Sequence, residues 1–311
     1  MGIMEHTTTL MQGEGPTKHF LKEMGWSLLE QIRALPQIDE CPTPDLSLLM
    51  NIIIWNCRRA LNPNFHRSIT ELVHCHSPSL LIVTKTRVGG DRAKEITDSL
   101  PFDGAIYADT IGYAGGIWLL WNTDAVDVSV LAATEQEIHA VIKVLASNFS
   151  WLLSSIYASP HLVERKILWN NLTQVASLHN LPWLLAGDFN EVLTSEDKFG
   201  GLPINLRKSS MFTNCLNTCG MIDLGFHGPR YTWSNLKEVR YLIQERLDRG
   251  FANASWRATY SEASVHHLTR THSDHCPILI CLDKPPCPNL PRPFIFQPVW
   301  SSHHSFPEVL H

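Results

Sequence analysis

Residues 181–190 read LPWLLAGDFN, an apolar run that rises to Gly187 and stops on Asp188, Phe189 and Asn190. So short a run ending in Gly-Asp-Phe-Asn describes a buried strand that closes in a turn and presents polar side chains at its carboxyl end. In layered folds such strand ends are where chemistry is placed. The chain supplies others: Asn56 after NIIIW, Lys85 after LLIVT, Tyr157 after WLLSSI, and Asp274-His275 before CPILICL.

Around this strand the pattern divides the chain into three. Residues 1–49 read as a weakly ordered leader that ends in a Pro-rich break. Residues 50–283 read as one domain, and residues 284–311 as a Pro-rich tail or truncated linker. Within the domain, residues 65–75, 91–100, 161–178 and 207–218 follow a helical period. Residues 51–55, 80–84, 105–107, 115–121, 126–131, 138–144, 151–157, 231–235, 244–249, 265–268 and 276–282 are strand-like. Gly115-Gly116 is expected as a bend at a sheet edge, and residues 191–206 as a polar loop. Meanders interleaved with few helices predict an α+β sandwich: two sheets face to face, helices outside.

Composition narrows function only by exclusion. A net charge of −5 gives no signal for nucleic acid and none against it, because a local basic surface can hide in an acidic total. The eight Cys show no zinc-ribbon spacing, and Cys215 and Cys219 suit a packed helix face. With no secretory signal, a disulfide framework is not expected. No stretch is long and apolar enough to span a bilayer, and there is no GxGxxG or Walker motif for an organic cofactor or nucleotide. Ten Trp suit stacking on a ligand or, more commonly, core packing.

Asp188 and Asn190 are the strongest local signal: a carboxylate to orient or deprotonate water, and an amide to hold a phosphate oxygen. The same pair also builds ordinary turns. Asp274 and His275 sit at a strand mouth, where a His can act as acid, base or hydrogen bonder. Asp248, in Arg-Leu-Asp-Arg, can orient such a His from behind or sit in a surface ion pair. Asn56 can cap a helix or bind phosphate, Tyr157 can donate to phosphate or close the core, and Trp233 can touch DNA or pack.

In order, the segments WN, the strand followed by TKT, IYASP, GDFNEVL, RLDR and HSDHCPIL resemble the endonuclease/exonuclease/phosphatase family over about residues 50–283. EQEIHAVIKV, NLPWLLAGDFNEVL, EDKFGG, CGMIDLGFHGPRYTWSN and IQERLDR are most similar to the endonuclease domain of plant LINE-type (non-LTR) retrotransposon polyproteins. The resemblance implies a four-layer α/β sandwich with two packed mixed sheets flanked by helices. It implies a DNA-nicking phosphodiester hydrolase that uses Mg2+ (or Mn2+), in the nucleus or cytoplasm. A reverse transcriptase domain is expected downstream in such relatives, and none is seen in these residues. By the same resemblance, Asp188, His275, Asp248 and Tyr157 are catalytic, Asn56 and Asn190 bind phosphate, and Asp274 lies near metal.

One departure outweighs the matches. The family carries its main Mg2+-binding Glu at the end of the second strand, where this chain has Lys85. Mg2+ wants hard oxygen ligands, and an ammonium offers no lone pair. It also turns attraction into repulsion, worth about 4 kcal/mol per charge product at ~4 Å and an effective ε near 20. Lys85 is expected to pair instead with Asp188 or Asp274. Arg58 stands where some members carry an acid. Three readings stay open: an impaired endonuclease, an inactive remnant that binds nucleic acid, and a phosphatase on small phosphorylated substrates.

Overall fold

The computed structural model describes residues 50–108 and 115–282. The expected leader and Pro-rich tail lie outside the described residues. In chain order the first half comprises β1 (Asn51–Asn56), α1 (Phe65–His76), β2 (Leu80–Thr84), α2 (Gly90–Asp98), β3 (Gly104–Ala108), β4 (Ile117–Trp121), β5 (Val126–Ala133), β6 (Glu137–Val144) and β7 (Phe149–Tyr157). It continues with α3 (Leu162–Leu178), β8 (Trp183–Asp188), β9 (Lys198–Phe199), α4 (Leu206–Thr218), β10 (Met221–Asp223), β11 (Trp233–Ser234), β12 (Gln244–Glu245), β13 (Asp248–Asn253), α5 (Ala254–Thr259), β14 (Ser264–His267) and β15 (Ile278–Cys281).

Two six-stranded sheets form, ordered β14-β15-β1-β2-β4-β3 and β10-β13-β8-β7-β6-β5, with a small β11-β12-β9 sheet beside them. Each large sheet has one parallel pair, β1 with β2 and β7 with β8. A helix crosses over within each pair (α1 and α3), as parallel pairing requires. The remaining pairings are antiparallel, so both sheets are mixed.

Alternate residues of each strand serve different layers. Ile52 and Ile54 of β1 meet Ile138, Ala140 and Ile142 of β6 between the sheets. Ile53 and Trp55 point outward to Phe65 and Ile69 of α1. On the other side, Leu152 and Leu185 pack on Leu168 and Leu172 of α3 and Phe212 of α4. Both faces of the central strands are therefore apolar, which is why NIIIW and LLIVT read as continuous runs. The result is the expected four-layer α+β sandwich. Trp55, Trp118, Trp151, Trp183 and Trp256 are all fully buried and Trp169 stacks on Phe212 in the core, so six of the ten Trp serve the core.

Three local expectations are corrected. Gly115-Gly116 leads into β4, which is flanked by β2 and β3 and is no edge. Its carbonyls accept from Thr86 and Arg87 instead. Residues 244–249 are not one extended piece: they split into β12 and the start of β13, an interior strand that runs on to Asn253. The loop at 191–206 holds a 3-10 turn and β9.

Candidate functional site

The carboxyl ends of β1, β7 and β8 and the start of β13 meet where the two large sheets face each other. Register places Tyr157 and Asp248 on either side of Asp188, across β7 and β13. Gly187 permits the close approach: it holds φ 153°, and a Cβ there would lie 1.9 Å from the Ile156 carbonyl oxygen.

A buried polar floor results. Asn56 Nδ2 donates to Asp188 Oδ2 at 2.7 Å and lies 3.2 Å from His275 Nε2. His275 Nδ1 lies 2.8 Å from Asp248 Oδ2. These contacts fit an Nδ1–H donated to Asp248; Nε2 accepts from Asn56 in the neutral ring and, once protonated, carries an N–H 3.8 Å from Asp188 Oδ2. Asn56, Asp188, Asp248 and His275 are all buried. Two residues not singled out by sequence brace this floor. Thr232 Oγ1 accepts from the backbone of Leu247 and Asp248. Ser273 Oγ donates to the Asn56 carbonyl and accepts from the His275 backbone. Ser273 adjoins the Asp-His pair, so position alone flagged it; Thr232 carried no signal.

Charge follows from this burial. Burial pushes the Asp188 carboxyl up, and the nearby His275 offsets this only in part. Burial pulls His275 down, but Asp248 and Asp188 outweigh it and hold the imidazole above its ordinary value. Burial, reinforced by Asp188, pushes the Tyr157 phenol up, so it remains a donor.

The rim differs. Asp274 is half-buried; Arg58 lies 3.5 Å from its carboxylate and Trp233 Nε1 donates to it at 3.3 Å. Burial pushes Asp274 up, but His275, Arg58 and Lys85 hold it below the usual carboxylate range. Asn190 Nδ2 donates to the Ala158 carbonyl at 2.7 Å and lies 3.3 Å from Asp188 Oδ2, so a phosphate would compete with both. Lys85, half-buried in a left-handed backbone (φ 56°), forms no ion pair among the described residues. The expected pairing of Lys85 with Asp188 or Asp274 is therefore corrected: Arg58 has Asp274, and Asn56 has Asp188.

Asp188, Asp248 and His275 each offer one ligand atom, all within 4.8 Å of one another, so this cluster could hold a divalent metal. Asp248 Oδ1 is buried without a hydrogen-bond partner among the described residues, a lone pair that such an ion would satisfy. Two carboxylates and an imidazole suit a transition metal better than Mg2+, which prefers an all-oxygen octahedron. The rim position implied for Mg2+ does not fit that ion: Lys85 brings an ammonium near Asp274 where an oxygen ligand is implied, and Asp274 faces Arg58.

The sequence profile described as the Endonuclease/Exonuclease/phosphatase family matches residues 53–275. No curated protein matches the chain. Among solved structures, the chain is similar to the endonuclease domain of TRAS1, a telomere-specific non-LTR retrotransposon, with TM-score 0.55 and 14% identity over 75% of this chain and 97% of that one. It is similar to an AP endonuclease from Leishmania major, with TM-score 0.61 and 15% identity over 84% and 98%. A 3′ phosphatase from Neisseria, bound to product DNA hairpin, gives TM-score 0.57 and 17% identity over 74% and 98%. Identities this low carry the fold alone.

Proposed function

Because the chain belongs to the Endonuclease/Exonuclease/phosphatase family, we propose that it is a DNA-directed phosphodiester hydrolase of retroelement origin, impaired where Lys85 replaces the metal-binding Glu. The plant LINE-type lineage rests on the motifs quoted above, and a nuclear or cytoplasmic setting and a downstream reverse transcriptase belong to the same proposal.

The observation that carries the reading is a split between floor and rim. The floor has its proton-handling geometry: Asp248 holds His275 by Nδ1, and Asn56 holds Asp188. In this reading Asp188 accepts the proton of an attacking water. His275, Tyr157, Asn56 and Asn190 offer donors to the phosphate, whose charge grows as water adds. Trp233 lies beside Asp274, where it can meet a DNA strand. The rim supplies cations, Arg58 and Lys85, where the Mg2+ or Mn2+ of the family would supply charge neutralisation. Those cations attract a phosphate but cannot activate a water.

Plasmid nicking tests this directly. In Mg2+, Lys85→Glu is expected to nick supercoiled DNA at least ~100-fold faster than the natural chain, the order of one lost electrostatic stabiliser. Equal rates would sink the impairment. DNA binding without nicking by either form would favour an inactive remnant, and turnover of a soluble phosphomonoester without nicking would favour the phosphatase.

A further inference from the structure

Away from the centre, two histidines meet across a strand edge. β14 is the last strand of its sheet, and the segment between β10 and β11 comes to its outer edge. There His227 pairs with His266 in an isolated parallel bridge. The backbone is tied on both sides: His227 N donates to Val265 O at 2.8 Å, and His267 N donates to His227 O at 2.9 Å. Directly paired residues turn their side chains to the same face, on backbones about 4.8 Å apart. The two rings accordingly stand 5.1 Å apart, centre to centre, and 27° from parallel.

No carboxylate holds either ring. The histidines in ion pairs among the described residues are His139 and His275. His227 is exposed and His266 half-buried, so an ion from solvent can reach both. His266 Nε2 lies 3.0 Å from Ser264 Oγ. An Nε2–H donated to that hydroxyl leaves Nδ1 with its lone pair, the kind of support that ligating imidazoles have. Burial, with His227 and His76 nearby, holds His266 below its ordinary value. Near neutral pH that ring is therefore unprotonated, the form that binds metal.

We propose that His227 and His266 chelate a divalent transition-metal ion of the Zn2+ class, at a site that shares no residue with the Asp188–His275 floor. Imidazole suits Zn2+, Cu2+ and Ni2+, whereas Mg2+ takes oxygen ligands. Among the described residues only Asp188, Asp248 and His275 bring three ligand atoms within 4.8 Å of one another. The surface site therefore has two protein ligands, and water completes its shell. An ion held there clips the segment that leaves β10, at the edge of one large sheet, to β14 at the edge of the other. The same segment leads to Thr232, which braces the floor. None of this depends on whether the centre cuts a phosphodiester.

The test is calorimetric titration of the untagged full chain with Zn2+ near neutral pH. Zn2+ taken by the floor would add a separate class of site. His227→Gln and His266→Gln are each expected to weaken the surface class about 100-fold, because the second contact of a chelate is intramolecular. The double variant is expected to bind one ion fewer than the natural chain. His161→Gln, exposed at the start of α3, is expected to change neither count nor affinity. Electron spin-echo spectra of the natural chain with Cu2+ need no variant: the surface pair shows two imidazoles on the ion, the floor one. An ion count unchanged in the double variant overturns the proposal. So do Cu2+ spectra that never show two imidazoles, a natural chain that takes up no Zn2+, or a loss of binding as large in His161→Gln.

Discussion

His275 sits between two carboxylates in the interior, with Asp248 at 2.8 Å and Asp188 at 3.8 Å. Its folded pKa lies above the ordinary value of about 6.5. The sign of the linkage follows. Stabilisation from the protonated ring is complete below the ordinary value and is lost as pH rises through the folded one. Asp248→Asn removes the charge and leaves only an amide oxygen to accept from His275, and breaking a buried pair costs about 3–5 kcal/mol. At roughly 2–4 °C per kcal/mol for a domain of this size, Tm is expected to fall by about 6–20 °C near pH 6. The gap between variant and natural chain should narrow on the alkaline side. A gap of constant size across the pH series would show that the imidazole does not carry this stability. Sequence made His275 and Asp248 visible as a candidate pair because Asp-His and Arg-Leu-Asp-Arg are compact local patterns. It could not show Arg58 on Asp274, because nothing local connects residues so far apart in the chain.

At the level of elements, β8 is the strand on which the centre is hung, and Gly187 is its tightest point. Its φ of 153° and the Ile156 carbonyl oxygen 1.9 Å from any added Cβ leave no room for a side chain. Gly187→Ala is expected to cost about 3 kcal/mol or more through strain and displaced backbone, lowering Tm by roughly 6–12 °C. Because Asp188 is the next residue, whatever activity or duplex binding the chain has should fall with it. A variant that melts with the natural chain would mean that β7 and β8 can part without cost. The long elements were legible because their signals are long: α3 follows a helical period over seventeen residues, and β1, β2 and β8 are unbroken apolar runs. The short ones were not. β9, β11 and β12 have two residues each, too few for alternation to register, and are held by neighbours brought from elsewhere. The six-residue α5 is set by Asn253, whose side chain accepts from Trp256 N at 3.0 Å and from Trp183 N at 2.9 Å, the second a tertiary contact.

For the molecule as a whole, the three apolar clusters draw their members from Met50 to Leu282 among the described residues. Buried charge follows the same limits. Arg249 bridges Asp197 at 2.6 Å and Asp223 at 2.7 Å, and Arg246 reaches Asp223 at 2.8 Å, fastening the 3-10 turn and β10 to β13. We propose residues 50–283 as the folding unit. A fragment with those boundaries is expected to melt in one cooperative transition within about 3 °C of the full chain, a shift of roughly 1 kcal/mol. A fragment that melts some 10 °C earlier would place stabilising contacts outside it. The layering itself was readable from pattern, whereas the partners across layers were not, because periodicity says which face is apolar and not what covers it.

The order of strands has a consequence for synthesis. β1 is made first, yet one of its two edges is covered only by β15, paired Asn51 with Cys281 at the far end of the domain. Until β15 leaves the ribosome, a strand with the apolar centre IIIW has an open hydrogen-bonding edge, a ready partner for another nascent chain. The segment that closes that edge also brings His275. Translation halted shortly before residue 275 would therefore release a sticky sandwich whose first sheet lacks β15 and whose centre lacks His275, and completion of the sheet and of the centre would be one event.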